Sequence, residues 1–428
     1  MKEFFLSRRN LLKGVVLGAV ASIFSTKSFG ATSPIKISLS KKSTNSFVFT
    51  VAAISSGKFF LEYGPAKDKL LYKSAIRSIS ANKSALLELS NLDANSLIFY
   101  RIRYLLGKSR SYLATPIYSD RTQQLLASST FAVQADPHMD ENSSSEVYLN
   151  TLKQVVAAAP AFLMDLGDIF MVDKLQDKSE ANIRARFELM KGYYEKLENV
   201  PLRITLGNHD GELGYSKFNT KNYRREYFPE QTGELAYYSF GGPDQLHVVL
   251  DPFTYTVENP KNDGWQWTLG KLQYEWLKKT LQESSATHKF IYIHHLLVGN
   301  AQSRGGVEIA HLNEWGGKNI DGTYGFDQFR PGWGMPIHDM LRENKVGFVF
   351  KGHDHLYVKQ ELDGIIYQTL PQPSHPGDKL DLKQYGYLAG KGVGGSGFLK
   401  VRTEGVTAFV DFIKHDGSIA DSYTRVAT

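Results

Sequence analysis

Five short polar clusters recur in this chain of 428 residues: Asp136-Pro137-His138, Gly167-Asp168, Gly207-Asn208-His209-Asp210, His294-His295 and Gly352-His353-Asp354-His355. Each follows an apolar run of strand character, at 130–133, 161–164, 202–206, 290–293 and 346–350. Oxygen and imidazole groups presented repeatedly at strand ends are how an α/β scaffold gathers distant residues around metal. So many donors predict a pair of ions rather than one.

Chain-wide properties narrow the chemistry. There are no cysteines, which excludes disulfides, thiolate metal sites and cysteine nucleophiles. The formal net charge is +6, but five Lys/Arg and one acid lie in residues 1–30. The remainder is close to neutral and gives no case for nucleic-acid binding. In that N-terminal segment, Ser7-Arg8-Arg9-Asn10-Leu11-Leu12-Lys13 precedes an apolar stretch at 14–24 and small residues at 28–31. The segment resembles a twin-arginine signal, with Leu11 where Phe is usual. It predicts a signal peptide over 1–31, use of the twin-arginine export machinery, and a periplasmic or secreted protein. An ordinary secretory signal or an uncleaved anchor are the alternatives. No other segment is apolar enough to span a bilayer.

Residues 32–124 alternate apolar and polar positions over short runs separated by turn residues, which predicts a small β-sandwich. From 125 to 428, strands alternate with helical stretches at 145–159, 183–197 and 272–281, which predicts α/β architecture. Later runs at 246–250, 398–401 and 406–413 alternate more strictly, so mixed sheets are expected. The segment 299–334 holds nine glycines with Arg304, His311, Trp315 and Trp333. It reads either as a lid or substrate wall, or as a structured insertion. Arg304, His311, Trp315 and Tyr255 are candidate contacts for a nucleotide, sugar phosphate or lipid phosphate.

Side chains two apart in an extended segment share a face, so Asp136 and His138 are expected to reach one ion, and His353 and His355 repeat that spacing. The Asp168 carboxylate has two oxygens and can bridge two cations. Of the adjacent His294 and His295, only one can point inward from an extended segment.

The ordered set Asp-x-His, Gly-Asp, Gly-Asn-His-Asp, a later His and Gly-His-x-His resembles the calcineurin-like metallophosphoesterase superfamily, over roughly residues 129–413. A β-sandwich ahead of it is similar to the fibronectin-like domain of purple acid phosphatases. The resemblance implies a four-layer αββα sandwich preceded by a small all-β fibronectin-like sandwich. It implies that Asp136, His138 and His355 hold one divalent ion (zinc, manganese, iron or magnesium), that Asn208, His294 and His353 hold a second, and that Asp168 bridges both. Among the adjacent histidines the family pattern favours His294. His209 is implied to face the substrate and protonate the leaving group, and Asp210 to orient a neighbouring imidazole.

The implied activity is hydrolysis of a small phosphorylated substrate by hydroxide held between the ions, as a phosphomonoesterase. The alternatives are a phosphodiesterase of nucleotide or glycerophosphodiester type and a non-catalytic secreted metal-binding or adhesion module. Purple acid phosphatases also need a Tyr ligand three residues after the bridging Asp. Here that place is Met171, so a purple iron centre is not expected.

Overall fold

A computed structural model describes residues 34–42, 46–93, 96–122, 128–214, 218–228, 235–258, 260, 264–298, 304–378 and 380–428. The proposed signal peptide, and the boundary proposed between 124 and 125, lie outside the described residues.

The N-terminal region is all β. Strands Ile35–Lys42, Phe47–Ala53 and Lys83–Leu89 form one antiparallel sheet. Gly57–Gly64 and Leu97–Leu106 pair at the centre of a second. Along Phe47–Ala53 every second residue is buried, so Phe47, Phe49 and Val51 meet Phe59, Leu61, Tyr100 and Ile102 in one core. The period-two pattern thus becomes two sheets packed face to face.

The remainder has four layers. A six-stranded sheet runs Leu202–Ile204, Leu163–Asp165, Ser128–Gln134, Gly397–Glu404, Thr407–Lys414, Ile419–Val426. A seven-stranded sheet runs Tyr238–Gly241, Gln245–Val249, His288–Ile293, Phe348–Lys351, Ile365–Thr369, Tyr357–Leu362, Lys391–Val393. The first three strands of the six-stranded sheet are parallel, as are the four from Gln245–Val249 to Ile365–Thr369. Apolar residues of both sheets interdigitate between them, among them Phe131, Val133 and Val401 from one and Phe290, Tyr292 and Phe350 from the other. Buried on both faces, the parallel strands read as continuous apolar runs.

Helices cover the outer faces. Ser145–Ala157 starts at Ser144, whose side chain accepts the Val147 N–H. Its buried Tyr148, Leu152 and Val155 recur at helical spacing and pack with Ile183, Phe187 and Met190 of Glu180–Tyr194 over the six-stranded sheet. Lys271–Gln282 and Ile337–Glu343 cover the seven-stranded sheet. Residues 304–334 belong to this outer layer. Trp315 and Phe326 are fully buried in its core beside Trp333, and buried Glu314 and Arg330 pair there while Arg330 donates to the Trp265 and Trp267 carbonyls. From Ala310 to Trp333 the stretch fills the outer core, and Trp315 is not available to a substrate. Among the described residues no helix is long and apolar enough to cross a membrane.

One buried carboxyl fastens both helices to the six-stranded sheet. Asp165 Oδ2 accepts from Gln134 Nε2 at 2.6 Å and Tyr194 Oη at 2.7 Å, and Gln134 also donates to Tyr148 Oη at 2.9 Å. Burial pushes the Asp165 carboxyl up to about 7. The folded protein then holds this proton where the unfolded chain has released it. This group's contribution is full below about pH 4 and declines as pH rises to about 7. Asp165→Asn should remove that decline. In urea unfolding at about pH 5 and about pH 8, the stability difference should move in the variant's favour at the higher pH; equal slopes in both proteins would refute the assignment.

Candidate metal centre

The five polar clusters lie just past the carboxyl ends of Ser128–Gln134, Leu163–Asp165, Leu202–Ile204, His288–Ile293 and Phe348–Lys351. Three of these strands belong to one sheet and two to the other, so the site sits where loops from both sheets meet. Backbones approach too closely there for ordinary side chains. A Cβ at Gly207 would lie 2.0 Å from the Asp168 nitrogen, and one at Gly352 would lie 2.4 Å from Asp136 Oδ2. The glycines ahead of Asn208 and His353 exist for this contact.

Two groups of donors result. Asp136, His138 and His355 have ligand atoms within 4.8 Å of one another, and so do Asp168, His294 and His353. Asn208 Oδ1 joins the second group, 3.1 Å from His294 Nε2. Asp168 Oδ2 lies centrally, 3.3 Å from His294 Nε2 and 3.8 Å from His138 Nε2. Asp136 and Asp168 are almost fully buried. Asp136 Oδ1 and His138 Nε2 are both buried without a hydrogen-bond partner, 3.9 Å apart. Orphaned acceptors of this kind suit a cation.

Neighbouring acceptors set the ring orientations. His138 Nδ1 faces Asp140 Oδ2 at 3.1 Å, and His294 Nδ1 faces the Leu166 carbonyl at 2.8 Å. In each case Nε2 is left for the site. His295 turns elsewhere. Its Nδ1 meets the Leu296 carbonyl at 2.8 Å, and its ring packs against Trp267 and Phe253. Of the adjacent pair, His294 is the one that reaches Asp168 and Asn208.

The cluster attracts positive charge. Burial lowers the proton affinity of His138 and His294, yet the hydrogen bond to Asp140 and the nearby Asp168 charge push His138 up to about 10, and the Asp168 charge pushes His294 up to about 9. Burial likewise opposes ionisation of Asp168, but His294 and His209 hold it well below the usual carboxylate range. Such a site takes either protons or metal, and metal binding releases the protons.

Two expectations are corrected. Asp136 and His138 do not share a face of an extended segment. Their φ values are +58° and +52°, and His353 and His355 are at +71° and +57°. Ligands two apart converge because the backbone kinks through the left-handed region at each of them, at a cost of roughly 1–2 kcal/mol per residue. Asp210, expected to orient an imidazole, instead collects backbone N–H groups. Its oxygens accept from Gly207, Asp168, Ile169 and Phe170 at 2.7–3.1 Å, so it shapes the loop carrying Asp168.

The imidazole partner is Asp173, which sequence reasoning missed. Both its oxygens lie 2.8 Å from His209 Nδ1. That leaves His209 Nε2, 3.9 Å from Asp168 Oδ2, turned toward the donor groups. Arg304 is also at the site. It donates to the His353 carbonyl at 3.0 Å and lies over the Tyr385 ring at 4.6 Å. Beside it, buried Lys351 pairs with buried Asp354 at 2.8 Å, and Tyr387 Oη donates to the same Asp354 oxygen at 2.5 Å. A cleft of about 220 Å³ opens next to His355, lined by residues including Gln372, His375, Leu380 and Tyr385. His311 is exposed and Tyr255 packs edge-on against Trp267.

The family model for calcineurin-like phosphoesterases matches residues 129–357, a span that contains all five clusters. No curated protein is significantly similar in sequence. Among solved structures, the chain is similar to purple acid phosphatase PPD1 from yellow lupin (Lupinus luteus) seeds. The TM-score is 0.52 at 14% identity, over 92% of this chain and 74% of that one. It is also similar to PhoD, with a TM-score of 0.51 at 12% identity, over 91% of this chain and 90% of the other. At such identities the two structures speak for the fold, an α/β body preceded by β strands. The match over more than half of its length, together with the paired Asp/His donor groups at strand ends, places this chain in the calcineurin-like phosphoesterase family, as a metal-dependent phosphoester hydrolase of purple-acid-phosphatase-like architecture.

Proposed function

We propose that the protein is an exported phosphomonoesterase that works with two divalent ions and has a fibronectin-like sandwich ahead of its catalytic domain. Asp136, His138 and His355 would hold one ion, Asn208, His294 and His353 the other, with Asp168 between them. The two donor groups and the central Asp168 Oδ2 support this arrangement. When bound, such ions supply positive charge to the phosphoryl oxygens and an activated water near neutral pH.

The chain's own residues supply the rest. Asp173 faces His209 Nδ1 and fixes the ring so that Nε2 is turned toward the place of the departing ester oxygen. Arg304 carries the preference for a monoester. Lys351 already balances Asp354 at 2.8 Å, whereas Arg304 is 3.6 Å from Asp354, its one carboxylate neighbour among the described residues. A surplus positive charge therefore borders the donor groups and suits the dianion of a phosphomonoester more than the monoanion of a diester. The cleft beside His355 is the place for a small organic group. Buried Met171, where a tyrosine ligand would stand, supports a centre without tyrosinate-to-metal charge transfer.

With p-nitrophenyl phosphate and bis-p-nitrophenyl phosphate, wild type should favour the monoester. Arg304→Gln should raise KM for the monoester and narrow that preference; a wild-type enzyme faster on the diester would reverse the assignment. His209→Ala should bind metal as wild type does yet lose about 10²–10⁴-fold in kcat, and Asp173→Asn should lose less. Wild-type turnover in the metal-loaded His209 variant would end its proposed role. The export reading rests on residues 7–13. Replacing Arg8 and Arg9 with Lys should hold the protein in the cytoplasm on fractionation of a bacterial host, and unchanged export would remove the twin-arginine route.

A further inference from the structure

Arg186 lies on Glu180–Tyr194, outside every polar cluster, and among the described residues its donors go to backbone carbonyls. Its Nε donates to the Phe170 carbonyl at 2.9 Å, one terminal nitrogen to the Met139 carbonyl at 2.9 Å, and the other to the His138 carbonyl. One planar fork thus holds three carbonyls on two loops. The first loop carries Asp136 and His138, and the second carries Asp168. Both are backbone-strained: Asp136, His138, Met139, Asp168 and Met171 all have φ between +51° and +58°. The loops also meet directly, through His138 N–H to the Asp168 carbonyl at 3.2 Å and Asp136 N–H to the Gly167 carbonyl at 3.0 Å.

We propose that Arg186 is a positioning residue for the metal centre: by gripping both loops from below it fixes the distance between Asp136 and His138 and the bridging Asp168, and so sets the affinity for the ion that these residues share, the second ion to bind. The inference rests on the metal-dependent reading above. Arginine suits the task because its fork offers fixed, divergent donors, whereas a lysine ammonium reaches fewer partners and has no fixed plane. Burial lowers the proton affinity of the guanidinium, but it stays charged, and ionised donors make strong hydrogen bonds to carbonyls. Met139 and Phe170 pack in the same core as the helix that presents Arg186, so the grip is anchored on a rigid element.

The test is cobalt(II) binding to the full-length chain, followed by equilibrium dialysis and by the visible d–d spectrum, with the melting temperature of the metal-free protein recorded in parallel. Wild type should bind two ions. Arg186→Lys should melt close to wild type in the metal-free state yet bind the second ion about 10–100-fold more weakly, the range for a residue that orients ligands, with an altered d–d band. In Arg186→Gly, millimolar guanidinium should restore the second ion and the wild-type spectrum. If Arg186→Lys takes up two ions with wild-type affinity and spectrum, the proposal is overturned, as it is if the folded fraction of either variant binds normally while only the melting temperature drops. A wild-type chain that binds no cobalt would instead remove the metal reading on which it stands.

Discussion

The hydrogen bond from His353 N–H to Asp136 Oδ2, 2.8 Å long, joins the first polar cluster to the last and one sheet to the other. It forms because Gly352 lets the backbone approach the carboxylate directly. It consumes one Asp136 oxygen and leaves Oδ1 without a partner in the donor group. A second strut runs the other way, from His294 Nδ1 to the Leu166 carbonyl, and the Gly352 N–H closes the set on the His294 carbonyl at 3.0 Å. The donor groups are therefore assembled by backbone contacts between sheets. If the two sheets slid relative to each other, the distances among the donor atoms would change together.

The inter-sheet core prevents that sliding. Phe131, Phe162, Phe290 and Tyr292 pack around buried His247 with ring centroids 5.0–6.5 Å apart. Burial pushes His247 down to about 3, so it behaves as a neutral aromatic there. Each such side chain contributes roughly 1.5–3 kcal/mol by burial. That is the scale needed to hold five of the donor residues in left-handed backbone at roughly 1–2 kcal/mol each. Strain at the site and rigidity of the core are one design seen from two ends: the core overdetermines the loops, so the loops can keep conformations that they would not choose alone.

Which residues gather was legible in the sequence because each cluster is local and follows a strand of recognisable composition. The strands and the helices at Ser145–Ala157 and Lys271–Gln282 were legible from the period of their apolar residues. How the ligands converge was not legible: alternation along an extended segment was the simplest assumption, and a left-handed kink at a non-glycine residue has no sequence signature. Partners from other elements were equally hidden. Asp173 meets His209 across 36 positions, and Arg186 reaches His138 across 48; each is an ordinary exposed-looking charge when read in its own segment. Asp210 was visible, but its work on four N–H groups depends on a loop geometry that only the fold defines. Arg304 shared a segment with Trp315 and Trp333, and composition could not separate the residue that borders the site from those that fill the core.

Charge balance connects these pieces to the proposed substrate. Near the donor groups, Asp354 is balanced by Lys351, and Asp173, half exposed, is turned to His209 Nδ1. Asp140 and Arg186 offset each other behind the loops and Asp210 is spent on four backbone N–H groups, so the carboxylates that face the donor groups are Asp136 and Asp168, and the cation at their rim is Arg304. On the proposed reading, two dications exceed the two carboxylates by two positive charges, and Arg304 raises the excess to three. A phosphomonoester dianion together with an attacking hydroxide matches that excess, whereas a diester leaves one positive charge unmet. In a partly buried site, where charge is poorly screened, an unmet charge is costly. On that reading Arg304 has no use for a strong carboxylate partner of its own: pairing it fully with an acid would cancel the charge proposed to tell a monoester from a diester.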